Sequence, residues 1–319
     1  MKIQNLGEKI TCCLLTYNHK HLVESTVETI LNQTVKNFEF IISDDCSTDG
    51  TWEKILELVK NKKNIKAIQT PKNLKMSGNC NYAFAHSNRE YVAILHHDDL
   101  FDNHLLEEWS QKLEKYPKAS FVFNAYENFE TKKITSIFKH DYLNGSWLLE
   151  NYLFKNFDCQ IRGSAMIRKS SWLEVGGMNE KFLHLSDIDL WMRLSKISNV
   201  GYIPKPLISV RHNRPVNYPR EYKGDIWKNK KIVYEIHAEN ILNYKNISKF
   251  KKKLIWMRFL INLNFENFKW LVYAIIKRKK NMVYYSNDVE TNYDFYVNKL
   301  LRKSLKTLIK LFTNIKNTN

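Results

Sequence analysis

The chain has 319 residues, 44% apolar and 26% charged, with 9 glycines, 6 prolines and no low-complexity tract, a composition that excludes disordered and collagen-like classes and leaves one large domain with an appendage, or two domains. The formal charge of +17 is unevenly placed: residues 1–210 hold 26 Lys+Arg against 25 Asp+Glu, and residues 211–319 hold 24 against 8. A neutral body with a strongly basic tail favours a polyanion, either nucleic acid or an anionic membrane surface.

In chain order, Ile10 to Thr16 is a short, almost wholly apolar run, as expected of a strand covered on both faces. His19 to Gln33 carries Leu22, Val23, Val27, Ile30 and Leu31 at helical spacing. Phe38 to Ser43 reads as a second strand, Thr51 to Lys60 as a second helix, and Ile65 to Gln69 as a third strand. Asn79 to His86 is an expected helix, Tyr91 to His96 a fourth strand, and Asp102 to Tyr116 a long helix that Pro117 stops. Ala119 to Asn124 is a fifth strand. Strands alternating with helices predict a mostly parallel α/β sheet built from βαβ units. After about residue 125 the pattern loosens, with a helix expected over Asp187 to Lys196, and beyond Pro219 everything reads as basic, aromatic-rich helix. The expected division is a domain over 1–215 and a helical C-terminal region over 216–319.

Five cysteines, at 12, 13, 46, 80 and 159, form no CxxC, and the odd number argues for free thiols in a reducing compartment. The start MKIQNLGEKITCCLLTYN lacks a basic n-region ahead of a long apolar core, and the longest apolar run of the tail, Trp270 to Ile276, falls far short of the ~20 residues of a membrane span. A cytoplasmic protein is expected.

Acidic clusters follow two of these strands and open the helix that begins at Asp187. Asp44, Asp45 and Asp49 lie in SDDCSTDGT, where Asp49 suits a turn that caps the following helix while the adjacent pair is poorly explained that way. His96, His97, Asp98 and Asp99 follow an apolar strand, as either a solvated capping loop or a set for a hard cation bridging phosphate oxygens. In SDIDLWMRL, Asp189 and Arg193 form an i,i+4 pair, and Asp187, not needed for that pair, is available to take a proton from a hydroxyl. Carboxylates at the carboxyl ends of strands are where an open α/β sheet gathers its ligand.

The set TYNH at 16–19, SDDCSTDGT at 43–51, NLKMSGNCN at 73–81, ILHHDD at 94–99, VGGMNEKF at 175–182 and SDIDLWMRL at 186–194 resembles the family 2 glycosyltransferases of the GT-A fold, in the family's order over roughly residues 8–213. The resemblance implies a Rossmann-like sheet flanked by helices and an inverting hexosyl- or N-acetylhexosaminyltransferase of surface polysaccharide synthesis. It implies a nucleotide site at Thr16, Tyr17, Asn18, Asp45, Asn73, Lys75, Asn81 and Asp98, with Asp45 on the base and Asp98 on the ribose. It further implies Mn²⁺ or Mg²⁺ on Asp98, Asp99 and His212, and Asp187 as the base that deprotonates the acceptor. Three departures stand out: His96 replaces the first acid of the usual DxDD, Ser186 a common glutamate, and Lys75 and Cys80 a frequent Gly and Arg.

The expected partners are a nucleotide-sugar donor, UDP-linked, and a glycan or lipid-linked glycan acceptor. Lys251 to Lys253, Lys277 to Lys280 and an amphipathic stretch over Tyr296 to Ile315 suit an anionic membrane surface, with packing on the body or on a second copy as the alternative. A sugar-1-phosphate nucleotidyltransferase would want a Gly-rich N-terminal loop that ITCCLLTYNHK lacks. A polyanion-binding protein fits the tail but not the acidic clusters, and no nucleic-acid module is present.

Overall fold

The computed structural model describes residues 6–62, 64–157, 161–212, 226–245 and 247–276. Its elements are β1 (Ile10–Thr16), α1 (Lys20–Leu31), β2 (Glu39–Asp44), α2 (Thr51–Val59), β3 (Ile65–Gln69), α3 (Lys75–Ala85), β4 (Tyr91–His96), β5 (Leu100–Phe101), α4 (Leu105–Lys115), β6 (Ala119–Asn128), β7 (Ile134–Thr135), β8 (Tyr142–Leu143), α5 (Gly145–Asn151), β9 (Ala165–Arg168), α6 (Lys169–Val175), α7 (Ser186–Ile197), β10 (Asn199–Val210), α8 (Ile226–Leu242) and α9 (Lys249–Ile276). One sheet runs in the order β3-β2-β1-β4-β9-β6-β10-β5, with β7 on β6 and β8 on β10. The pairs β3-β2, β2-β1, β1-β4 and β6-β10 are parallel, and β9 lies antiparallel between β4 and β6. This is the mixed, mostly parallel α/β sheet that the sequence predicts.

The near-continuous apolar strands are explained by their two faces. Cys13 and Leu15 of β1, Ile41 of β2, and Val92 and Ile94 of β4 join one apolar cluster. Cys12 and Leu14, Phe40 and Ile42, and Tyr91, Ala93 and Leu95 join another. Successive side chains of a strand point to opposite faces, so a strand covered by helices on both sides needs apolar residues at every position. Val23, Val27 and Ile30 of α1 and Leu105, Leu106, Trp109 and Leu113 of α4 cover the second face.

Two boundaries differ from expectation by four residues, for local reasons. Helix α3 begins at Lys75 rather than Asn79, because the Asn73 carboxamide accepts the Lys75 N–H at 3.0 Å and opens the first turn. Strand β6 runs on to Asn128 because β10 stays paired with it that far.

The first compact unit spans Met1–Asn267, and the second Phe268–Asn319. Within the first, Val233, Tyr234, Ile236 and Ile241 of α8 and Ile255 and Phe259 of α9 belong to the same apolar cluster as Ile41, Val92 and Trp191. These C-terminal helices therefore share the core of the sheet. Cys159, residues 213–225 and the stretch over Tyr296 to Ile315 lie outside the described residues.

A prediction follows for α9. Phe259 is fully buried, stacked on His237 with ring centroids 4.9 Å apart. Phe259→Ala is expected to lower stability by about 3–5 kcal/mol, as emptying a large core position does. Urea unfolding followed by far-UV circular dichroism should shift as one transition with that of the sheet. Loss of the α9 signal alone, with the sheet's midpoint unmoved, would show that the helix is not part of this core.

Candidate active site

Parallel register brings the chemistry to one edge. Thr16 at the end of β1 pairs with Asp44 at the end of β2, Leu15 with His96 at the end of β4, and Asp44 with Gln69 at the end of β3. The four strand ends and the loops that leave them thus line a single carboxyl edge, the expected ligand crevice of such a sheet.

The adjacent acids of β2 divide their work. Asp44, fully buried, accepts from Ser47 N at 2.9 Å, Ser47 Oγ at 2.5 Å, Thr16 Oγ1 at 3.1 Å and Gln69 Nε2 at 3.0 Å. It is a structural acid that ties three strand ends together. Asp45 accepts from Thr70 Oγ1 at 2.9 Å and Leu74 N at 2.7 Å, and so holds the loop that enters α3. Burial nevertheless pushes the Asp45 carboxyl above its ordinary value of 3.8, against the lowering effect of those hydrogen bonds. Asp49 bonds Lys20 N at 3.2 Å and Thr51 N at 3.0 Å, joining the starts of α1 and α2, in keeping with its reading as a turn and cap residue.

Asn18 links the loops after β1 and β2: its N–H donates to Ser47 Oγ at 2.9 Å and its carboxamide oxygen accepts Thr48 N at 2.8 Å. Thr16 lies buried and Tyr17 half-buried beside it. Asn79, which the sequence reading passed over, is buried on α3, accepts from Ser43 Oγ at 2.6 Å and donates to the Ser43 carbonyl at 3.0 Å. The one signal for it was a polar residue on the apolar side of a helix. Asn81 faces elsewhere. Its carboxamide donates to the Met178 carbonyl and to Glu180, each at 3.0 Å, and accepts Met178 N at 2.9 Å, clamping α3 to the turn before α7.

In the turn after β4, His97 Nδ1 bonds the Leu15 carbonyl at 2.6 Å and its ring packs on His19, centroids 3.8 Å apart. The Thr26 hydroxyl meets the His97 and Asp99 carbonyls at 2.8 and 2.9 Å. Helix α1 therefore fixes the backbone that carries Asp98 and Asp99, both about one-twentieth exposed. Asp99 Oδ1 accepts Arg211 N at 3.3 Å, which brings the end of β10 to this turn. His212, next along, is exposed, and its N–H donates to the two Glu130 carboxylate oxygens at 3.1 and 3.2 Å.

Among the described residues no group of three or more His, Cys, Asp or Glu side chains is arranged to hold a metal, so Asp98, Asp99 and His212 do not form a three-ligand set. Two neighbouring buried carboxylates are hard oxygen donors, and a small divalent cation needs no more than one or two of these when phosphate oxygens complete its shell. The donor chemistry of Asp98 and Asp99 fits such an ion.

Asp187 stands in the first turn of α7, with Oδ1 accepting Ile188 N at 2.9 Å. What brings it to the strand edge is the turn before β9. At Gly163, φ is +71°, and a Cβ there would lie 2.6 Å from His96 Nε2 and 3.4 Å from Asp187 Oδ2. The backbone angle favours glycine, and a Cβ would have to push the His96 ring aside. The departure residue His96 and the candidate base Asp187 thus lie on either side of one glycine. Sequence separation hid this proximity. Asp189 is occupied as expected, accepting Arg193 Nε at 2.7 Å and Asn240 Nδ2 at 2.7 Å.

A family model described as "Glycosyl transferase family 2" matches residues 11–176, just over half of the chain. The chain is 25% identical over 194 residues to the Escherichia coli UDP-Glc:alpha-D-GlcNAc-diphosphoundecaprenol beta-1,3-glucosyltransferase WfgD, covering 61% of this chain and 72% of that protein. Among solved structures it is similar to Staphylococcus aureus TarS 1-349 in complex with UDP-GlcNAc, with TM-score 0.67 at 18% identity over 86% of this chain and 77% of that one. The mannosyltransferase PcManGT from Pyrobaculum calidifontis, in complex with GDP-Man and Mn²⁺, superposes with TM-score 0.56 at 14% identity, over 87% and 81% of the two chains. These likenesses establish the fold as that of the GT-A enzymes.

Asp45 gives a prediction independent of turnover. Its folded-state carboxyl titrates above 3.8, so between that value and the raised one the folded chain holds more protons than the unfolded chain. Stability from this group is complete below 3.8 and falls as pH rises through the raised value. Asp45→Asn removes that loss, so its melting temperature relative to the parent should rise from pH 4 to pH 7.5. An unchanged difference across that range would mean the folded carboxylate is well solvated.

Proposed function

This chain belongs to glycosyl transferase family 2 and is a glycosyltransferase, and we propose that it moves a hexose or N-acetylhexosamine from a UDP-linked donor, with inversion, to a lipid-linked glycan acceptor in surface-polysaccharide synthesis. The observation that carries this reading is the approach of Asp187 and His96 across Gly163, which sets a carboxylate from α7 beside the strand ends that carry Asp45, Asp98 and Asp99. Support for the donor class comes from TarS, a fold neighbour solved with UDP and with UDP-GlcNAc. Support for the acceptor class comes from WfgD, whose name gives a diphosphoundecaprenol-linked sugar.

In this reading the nucleotide lies along the ends of β1, β2 and β4, against Thr16, Tyr17 and Asn18. Asp45 accepts an N–H of the base and Asp98 holds the ribose, while Asn73 and Lys75 frame the donor from the start of α3. Asp98 and Asp99 would hold Mn²⁺ or Mg²⁺, which as a Lewis acid neutralises charge on the departing diphosphate. Asp187 takes the proton of the acceptor hydroxyl. The oxygen then forms its bond to the anomeric carbon from the side opposite the diphosphate, the bond to UDP breaks, and the proton stays on the Asp187 carboxyl. The enzyme works at the cytoplasmic face of the membrane, held there through its basic C-terminal region.

Asp187→Asn keeps the size and the hydrogen bond to Ile188 N but cannot accept a proton. Its kcat is expected to fall about 10²–10⁴-fold, with donor affinity by calorimetry nearly unchanged. Near-normal turnover would sink Asp187 as the base.

Two further expectations belong to the same site. EDTA should abolish transfer and Mn²⁺ or Mg²⁺ restore it, and Asp99→Ala should bind UDP weakly in the presence of metal; full turnover in EDTA would refute the metal role. Gly163→Ala should lower kcat by about 10²-fold, since a Cβ 2.6 Å from His96 Nε2 on a left-handed backbone shifts the turn beside Asp187, and an ångström is enough to misalign reacting groups. Wild-type kcat in that variant would mean the turn can give way.

A further inference from the structure

The first turns of α9 face two ways. Ile255 and Phe259, one turn apart, are 6% and 0% exposed and lie in the core. Phe250, Leu254, Met257 and Ile261 are 79%, 38%, 58% and 61% exposed. Their spacing of four, three and four residues sets them in one stripe, within an arc of about 60° at 100° per residue, pointing away from the buried pair. A solvated helix face would carry polar residues here. Instead this is a contiguous run of large apolar side chains, of the kind that marks an interaction surface.

The rim of the stripe names the occupant. Lys249, Lys251, Lys253 and Arg258 are exposed around it, and no Asp or Glu occurs between Lys249 and Ile261. Lys251 also reaches Glu150 at 2.6 Å and Lys252 the Leu242 carbonyl at 2.8 Å, contacts that help fix the helix to the body. A second copy docking stripe to stripe would set these cations against one another, because a twofold interface pairs a patch with itself. An anionic bilayer offers the opposite charge together with an apolar interior for Phe, Leu, Met and Ile. An apolar face with a cationic rim is the composition of a helix lying in the membrane interface.

We propose that the Phe250–Leu254–Met257–Ile261 stripe of α9 seats the enzyme on an anionic bilayer, the helix lying flat in the headgroup region while Ile255 and Phe259 hold the catalytic body to it. No helix among the described residues is long and apolar enough to cross a membrane, so the contact is lateral. This deepens the membrane reading above and supplies the orientation that a lipid-linked acceptor needs.

The test uses the full chain and cosedimentation with phosphatidylcholine vesicles, with and without phosphatidylglycerol. The variants are the combined Leu254→Ser, Met257→Ser and Ile261→Ser, and separately the pair Lys253→Ala and Arg258→Ala. All five residues are exposed, so folding is expected to survive, with circular dichroism as the check. The parent should bind only the anionic vesicles. The serine variant should lose at least about tenfold in partition, and the alanine variant should bind more weakly and with a smaller response to salt. Donor hydrolysis without vesicles should be unchanged in both. A parent that binds no vesicles, or a serine variant that partitions as the parent does, would overturn the proposal. So would a parent that is dimeric by sedimentation velocity and a serine variant that is monomeric, since a second copy would then cover the stripe. Absence of donor hydrolysis from the parent would count against the enzymatic reading and leave the vesicle result standing.

Discussion

Burying carboxylates without burying their cost is the constraint that organises this molecule. Asp44, Asp45, Asp98, Asp99, Asp187 and Asp189 are each less than a tenth exposed, and an ionised acid removed from water is strongly destabilising unless donors replace the solvent. The ways in which each is accommodated separate structure from chemistry. Asp44 gathers four donors from three strand ends, and Asp189 is held between Arg193 and Asn240. These two hold the scaffold. Asp45 keeps two clear donors and still titrates high, which is the signature of a group retained against the interest of stability.

The scaffold acid Asp189 also explains why the C-terminal helices matter to the site. Arg193, bonded to Asp189, donates onward to the Val175 and Gly177 carbonyls at 2.6 and 2.7 Å, so α7 is fixed to the turn that precedes it. From the other side, Asn240 of α8 donates to Asp189 and accepts Lys196 Nζ at 2.6 Å, where burial lowers the lysine to about 8. Helix α7 carries Asp187, so the position of the candidate base depends on a helix beyond residue 225. A boundary drawn at 215 divides the charge correctly and cuts across this polar seam. Shortening the chain near residue 250 would likewise take Ile255 and Phe259 out of the shared core.

What the sequence made legible follows from the range of the interaction involved. Strands β1 and β4 could be read to the residue because burial on both faces leaves a continuous apolar run, and the Asp189–Arg193 pair because helical geometry sets i,i+4 contacts. Motif order carried the family and with it Asp45, Asp98, Asp99 and Asp187 as one neighbourhood. Strand β9 escaped because AMIR is too short to show a period. Asn81 read as a donor residue but spends its carboxamide on Met178 and Glu180, nearly a hundred residues away, and the role of Gly163 depends on side chains from two other elements. No local pattern encodes contacts of that kind.

Five of the eight non-glycine residues with positive φ among the described residues fall in this same region. Asn18, Cys46, Lys75 and Arg162 all have φ between 51° and 64° without being glycine, and they sit in the loops after β1, β2 and β3 and just before β9. Leu183, four residues before Asp187, is at φ 52° and ψ −123°. Such conformations cost on the order of 1–3 kcal/mol each and persist only where surrounding contacts over-determine them. The contacts are identifiable: Asn18 is held by Ser47 and Thr48, and Lys75 by the Asn73 carboxamide and the hydrogen bond from its backbone to Asp45. Lys75 stands where the family often has glycine, and its left-handed backbone gives the physical reason for that preference. At this position the chain accepts strain in order to keep a cation at the start of α3, where a glycine would adopt the same backbone at no cost and bring no charge. In the proposed reading that cation would lie at the end of the loop that Asp45 organises, where the anionic diphosphate of the donor matches its charge.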